Sequence, residues 1–136
     1  MPRAYSSLVI ALVLAAACER GADPEQTRHA AGQALRGALT YPRSSLVSVT
    51  SGEEAAQIVM TSPDSVAAVA AWFQQSLRLN KWDVKRTVDD HRGTVTIYAE
   101  QGKRPLWLTL RPNVGGAGTT YTMVGVIPMD STVGRP

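Results

Sequence analysis

From Trp82 onward the chain alternates apolar and polar residues, with Trp82, Val84 and Val88 set against Asp83, Lys85 and Thr87. The same period of two returns in segment 94–100, where Val95, Ile97 and Ala99 share one face, and in 105–111, where Leu106, Leu108 and Leu110 do. Successive side chains on a strand point to opposite faces, so each segment predicts a strand with one face buried. Residues 120–127 are β-prone throughout and predict one more. Asp90-His91-Arg92-Gly93 and Gln101-Gly102-Lys103-Arg104 supply tight turns, and Pro112 to Gly118 is a longer glycine-rich link expected to be mobile.

Upstream the period lengthens. Val66, Val69, Ala70, Phe73 and Leu77 recur at intervals of three and four, with Gln74, Gln75 and Arg78 on the other side, and predict the main helix over 63–79. Ser62 is placed to cap it, Pro63 to open it, Asp64 to meet its dipole, and Asn80 to end it in a left-handed conformation. A shorter helix is predicted over 24–39, with Asp23 as cap, Pro24 in the first position and Gln26 closing a capping box. Ala31, Leu35 and Ala38 or Leu39 form its apolar stripe. Gly32 and Gly37 each cost about 1 kcal/mol relative to alanine, so packing must hold this helix. Tyr41-Pro42 interrupts it, and Leu46, Val47 and Val49 with Ile58-Val59-Met60 predict a hairpin around 51–54. The expected fold class is α+β: a mostly antiparallel sheet with helix 63–79 on one face and helix 24–39 beside it, in a single domain over 24–128 followed by a flexible tail over 129–136.

The first residues follow another pattern. Met1 to Ser7 is polar with the single charge of Arg3, an apolar run follows from Leu8 to Leu14, and Ala15-Ala16-Ala17 leads to Cys18, the only cysteine. This is the three-part form of a secretory signal over residues 1–17. The apolar stretch falls short of the roughly 20 residues that span a bilayer.

The segment around Cys18 resembles the lipobox of bacterial lipoproteins. It departs from that pattern where Ala15 stands in place of the favoured Leu, Val or Ile. The resemblance covers residues 1–19 and implies cleavage before Cys18, a diacylglyceryl thioether on its sulfur, and a tether over 18–23. Several acyl chains at about 0.8 kcal/mol per buried methylene would anchor the chain durably. Glu19, where an Asp commonly retains such proteins in the inner membrane, implies the outer membrane, facing the periplasm, in a Gram-negative cell. Ala15-Ala16-Ala17 also satisfies ordinary signal cleavage after Ala17, which would leave a soluble secreted domain with a free thiol at Cys18.

Composition narrows the function classes. The chain is 44% hydrophobic and 18% charged, with a formal net charge of +3, and its basic residues are scattered rather than gathered on one stripe. No nucleic acid is expected as a partner. His29 and His91 lie in different elements, so no metal and no cofactor are predicted. Asp89-Asp90-His91 reads as a solvated turn; its alternative is a periplasmic hydrolase centred on His91, although no Gly-x-Ser-x-Gly elbow accompanies it. Gly115-Gly116-Ala117-Gly118 lacks the Lys and Ser or Thr of a phosphate loop.

One face carries unusual chemistry. Opposite the apolar positions, Thr94, Thr96 and Tyr98 fall on one strand and Trp107, Thr109 and Arg111 on the next, so Tyr98, Trp107 and Arg111 would share an outward surface. Exposed aromatic and arginine side chains typify binding hot spots. The competing expectation is that Trp107 packs against helix 24–39. The leading expectation is therefore a membrane-anchored envelope protein with a non-enzymatic domain that binds a protein or cell-wall partner through Tyr98, Trp107, Arg111 and the 112–118 link.

Overall fold

The computed structural model describes residues 23–129. The signal segment, Cys18 and all but the first residue of the predicted tail lie outside those residues. The elements run α1 (Pro24–Ala34), β1 (Ser45–Ser51), β2 (Ala55–Ser62), α2 (Val66–Leu79), β3 (Asp83–Asp89), β4 (Val95–Gln101), β5 (Arg104–Pro112) and β6 (Thr119–Val126). All pairings are antiparallel, in a six-stranded sheet of order β1-β2-β6-β5-β4-β3. The α+β class, the antiparallel sheet and the two helices of unequal length hold.

The chain lays down the β1–β2 hairpin, crosses by α2 to the far edge, and returns through β3 to β6, which closes against β2. α1 lies over β1, β2 and β6, whereas α2 lies over β3, β4 and β5. Both helices therefore occupy one face. Leu108 stands between Ile97 and Met123, and Leu110 faces Tyr121, so adjacent strands stack their apolar positions into one buried layer. Phe73 and Val69 of α2 complete it, with no exposed area. Ring edges continue from Tyr41 to Trp72, Phe73 and Tyr121 at centroid separations of 5.4, 5.0 and 5.0 Å. Such edge-to-face contacts add to area burial.

α1 is shorter than predicted. It ends at Ala34, with Leu35 as cap, because Gly37 takes a positive φ of 83° and turns the chain away. Its C-terminal carbonyls are gathered from the sheet: Nη2 of Arg104 donates to Gln33 O, Ala34 O and Arg36 O at 3.4, 3.3 and 3.0 Å. A cation at that end also meets the negative pole of the helix. The guanidinium lies 5.5 Å from the Trp82 ring, whose Nε1 donates to Gly37 O at 3.0 Å. Gly125 lies directly beneath the helix, since a Cβ there would come 2.4 Å from Ala34 O.

α2 also differs at both ends. Ser65, not Ser62, caps it, accepting from Ala68 N at 3.2 Å. Ser62 Oγ instead accepts from Asp64 N, and Asp64 turns outward to accept from Tyr41 Oη at 2.5 Å and Arg43 Nη1 at 3.0 Å. Bound to that carboxylate and partly desolvated, the Tyr41 phenol titrates above its ordinary range. At the other end Asn80 is not left-handed; Lys81 is, at φ 64°. Trp82 N then reaches Leu77 O and Lys81 N reaches Arg78 O, the two bonds of a Schellman ending. Asn80 serves by its side chain, which donates to Ser76 O at 2.8 Å.

Candidate functional site: an apolar groove and an open aromatic sheet face

The helix-covered face is not filled evenly. Toward β1 a groove of about 480 Å³ opens between α1, the segment that follows it, and the first hairpin. Ala31, Leu35 and Ala38 form one side, and Leu46, Val49, Ile58 and Met60 the other. Its volume lies in the usual range for a small-molecule site. Two features keep it open. Gly32 is on the groove, and a Cβ added there would meet nothing within 4 Å. A bulge in β1 between Leu46 and Ser48 leaves Leu46 54% exposed at the rim although its register partner Met60 is buried. Arg28 is the single charged residue of the lining and Thr40 its one hydroxyl.

Tyr121 braces the segment that joins α1 to β1. Its Oη accepts from Tyr41 N at 3.0 Å and pairs with Ser44 Oγ at 2.6 Å, and Ser44 Oγ donates to Tyr41 O. Ser44 has a single hydroxyl proton, so the Tyr121 O–H must donate to it, and the three groups form a closed ring. Burial pushes the Tyr121 phenol up, leaving it neutral as this ring requires.

Among the described residues the opposite sheet face carries no helix. Tyr98 and Trp107 are cross-strand partners there, with ring centroids 5.5 Å apart and planes tilted by 35°. Trp107 is 42% exposed and does not pack on α1, which overturns that expectation. Tyr98 Oη donates to Glu100 Oε1 at 2.6 Å, and this bond to a carboxylate raises the phenol's pKa. Arg111 shares the face but lies four residues beyond Trp107, about 13 Å along β5, opposite Thr120. Arg86 and Val88 of β3 join the aromatic pair instead, forming with Thr96 a shallow cleft of about 320 Å³.

Simple alternation misplaced Val88. A bulge between Val84 and Arg86 shifts the register by one residue, so Val84 faces the buried Ala99 while Val88 pairs with Thr96 on the open face, 40% exposed. A one-residue slip reverses every later side chain. The signal that could have found it is Lys85-Arg86, two consecutive cations that interrupt the apolar period of an edge strand.

The remaining candidates are structural parts of turns. Asp89 Oδ1 accepts from His91 N at 2.8 Å, and Asp90 Oδ1 accepts from Arg92 N at 2.7 Å and Thr94 N at 3.0 Å. Those backbone donors hold the Asp90 carboxyl below its ordinary range. His91 stands exposed at φ 60° in the turn between β3 and β4. The 112–118 link is tied at its base, where Asn113 N donates to Gly118 O and Asn113 Nδ2 to Ala117 O. Its residues line neither cleft.

An antiparallel sheet gripped on one face by two helices, with an apolar groove beneath the shorter one, defines an α+β domain built around a space between helix and sheet. The chain belongs to the START domain-like family, whose model matches residues 44–120. The match takes in the β1–β2 wall of the groove, the whole of α2 and the strands β3 to β5, while α1 precedes it. No curated protein and no solved structure shows a significant match to the chain.

Proposed function

We propose that this protein is an envelope lipoprotein, anchored through Cys18, whose START-like domain is a non-enzymatic module that binds an apolar or amphipathic small molecule in the groove beneath α1. The groove itself carries the reading. Apolar side chains of α1, β1 and β2 line about 480 Å³ that no side chain among the described residues fills. Burying an apolar ligand there gains about 25 cal/mol for each Å² removed from water. Arg28, as the only charge in the lining, would favour a ligand with an anionic end. Membership of the START domain-like family supports a binding role.

Gly32→Leu tests the groove without weakening the fold. Leucine is the better helix former by roughly 0.8 kcal/mol, and its side chain would project into the open volume. The expected result is loss of at least tenfold in affinity for a fluorescent polyene fatty acid, with an unfolding midpoint equal to or above that of the parent. Unchanged affinity would remove the groove from consideration.

Anchoring through Cys18 rests on the lipobox resemblance and has its own test. The parent should partition with membranes and show the added mass of acyl chains, and Cys18→Ser should be found in the soluble fraction. An unmodified thiol at the mature N-terminus would leave the domain exported but unanchored.

A further inference from the structure

The open face of the sheet has the chemistry of a second binding surface, independent of the groove and on the opposite side of the core. Its centre is the pair Tyr98 and Trp107, and Trp107 presents its ring to solvent although tryptophan is usually well buried. Beside this pair runs a register row of hydroxyls, Thr96, Thr109 and Thr122, from three successive strands. Arg86 rises at the β3 edge of the cleft. Among the described residues it pairs with no carboxylate, since Asp83 is taken by Lys85 and Glu100 accepts from Tyr98. The face thus combines an exposed aromatic pair, aligned hydroxyls and a cation in no ion pair among the described residues.

We propose that this face binds a carboxylated glycan, with a pyranose ring stacked on Trp107 beside Tyr98 and a carboxylate of the sugar held by Arg86. The lining of the cleft favours this ligand over an apolar chain. Arg86 and the Thr96 hydroxyl line it beside the two aromatic rings, so a ligand there meets a cation and a hydrogen-bonding group that an alkyl tail cannot use. The C–H bonds of a pyranose carry partial positive charge and are drawn to the negative face of the indole. Its hydroxyls exchange hydrogen bonds with the threonine row, whose Oγ atoms both donate and accept. The Arg86 fork pairs with a carboxylate through two parallel N–H bonds, which a neutral sugar does not offer.

Affinity electrophoresis of the whole protein in native gels containing polygalacturonate, dextran or polyglutamate tests the proposal. Polygalacturonate should retard the parent more than either other polymer, dextran lacking the carboxylate and polyglutamate the ring. Trp107→Ala should weaken polygalacturonate retardation tenfold or more, the loss of about 1.4 kcal/mol typical of a central aromatic contact, while Trp107→Phe keeps most of it. Arg86→Gln should bring polygalacturonate down to the level of dextran. Retardation by polyglutamate equal to that by polygalacturonate would identify a generic polyanion surface and overturn the proposal. So would full retention in Trp107→Ala, or no retardation of the parent by polygalacturonate. Trp107 is on the surface, and an unchanged circular dichroism spectrum of each variant separates lost binding from lost folding.

Discussion

Gly125→Val should lift α1 from the sheet, destabilise the domain by about 3 kcal/mol and abolish ligand binding in the groove. A Cβ at this position would lie 2.4 Å from the carbonyl oxygen of Ala34, 2.9 Å from its carbon and 3.0 Å from Cδ2 of Leu35. The first two atoms are backbone, so no rotamer change relieves the contact. The helix must move as a body. That movement would strain the Arg104 bonds to Gln33 O, Ala34 O and Arg36 O and separate Ala31 and Leu35 from Ile58 and Met60 across the groove. Urea unfolding and titration with the polyene fatty acid read the two effects. An unchanged midpoint would mean that α1 does not rest on β6.

Phe73→Ala should have a larger effect on stability and a smaller one on binding. The ring has no exposed area and meets Trp72 and Tyr121 edge-on at 5.0 Å in each case. Removing a buried phenylalanine costs about 3–5 kcal/mol, because the lost contacts and the cavity left behind both count. A domain of this size is stable by only about 5–15 kcal/mol, so the variant should lie near its unfolding midpoint at modest temperature. The residue belongs to α2, which lies over β3, β4 and β5; it reaches the groove side through Tyr121 of β6, and neither residue lines the groove. Its folded fraction should therefore bind the fatty acid with parental affinity. Loss of affinity at full folding would show that the two halves are coupled, contrary to the separation of the helices over different strands.

Strand and helix periods were legible in the sequence because each strand of the β4-β5-β6 meander keeps one face in the core. Leu106, Leu108 and Leu110 announce a buried face, and the residues between them announce the open one. Register was less legible. The bulges near Val47 and Lys85 lie in the two edge strands, where a residue can be added at the cost of pairing on one side only. Alternation counted along the sequence cannot see them, which is why Arg86 and Val88 were missed at the open face. The ends of the helices depended on bonds from distant residues, such as Arg104 reaching Ala34 over 70 positions. The groove had no local signal at all. It arises from Gly32, a residue that reads as a helix weakness, facing a hairpin displaced by its own bulge.

The central claim is that an apolar ligand enters between α1 and the β1–β2 hairpin. Amide and methyl chemical shifts of the labelled protein, followed while palmitate is added, test it most directly. Signals of Gly32, Leu46, Val49, Ile58 and Met60 should move together and saturate, while those of Thr96, Thr109 and Trp107 on the far side of the sheet stay in place. Shifts confined to the far side, or none at saturating palmitate, would contradict the account.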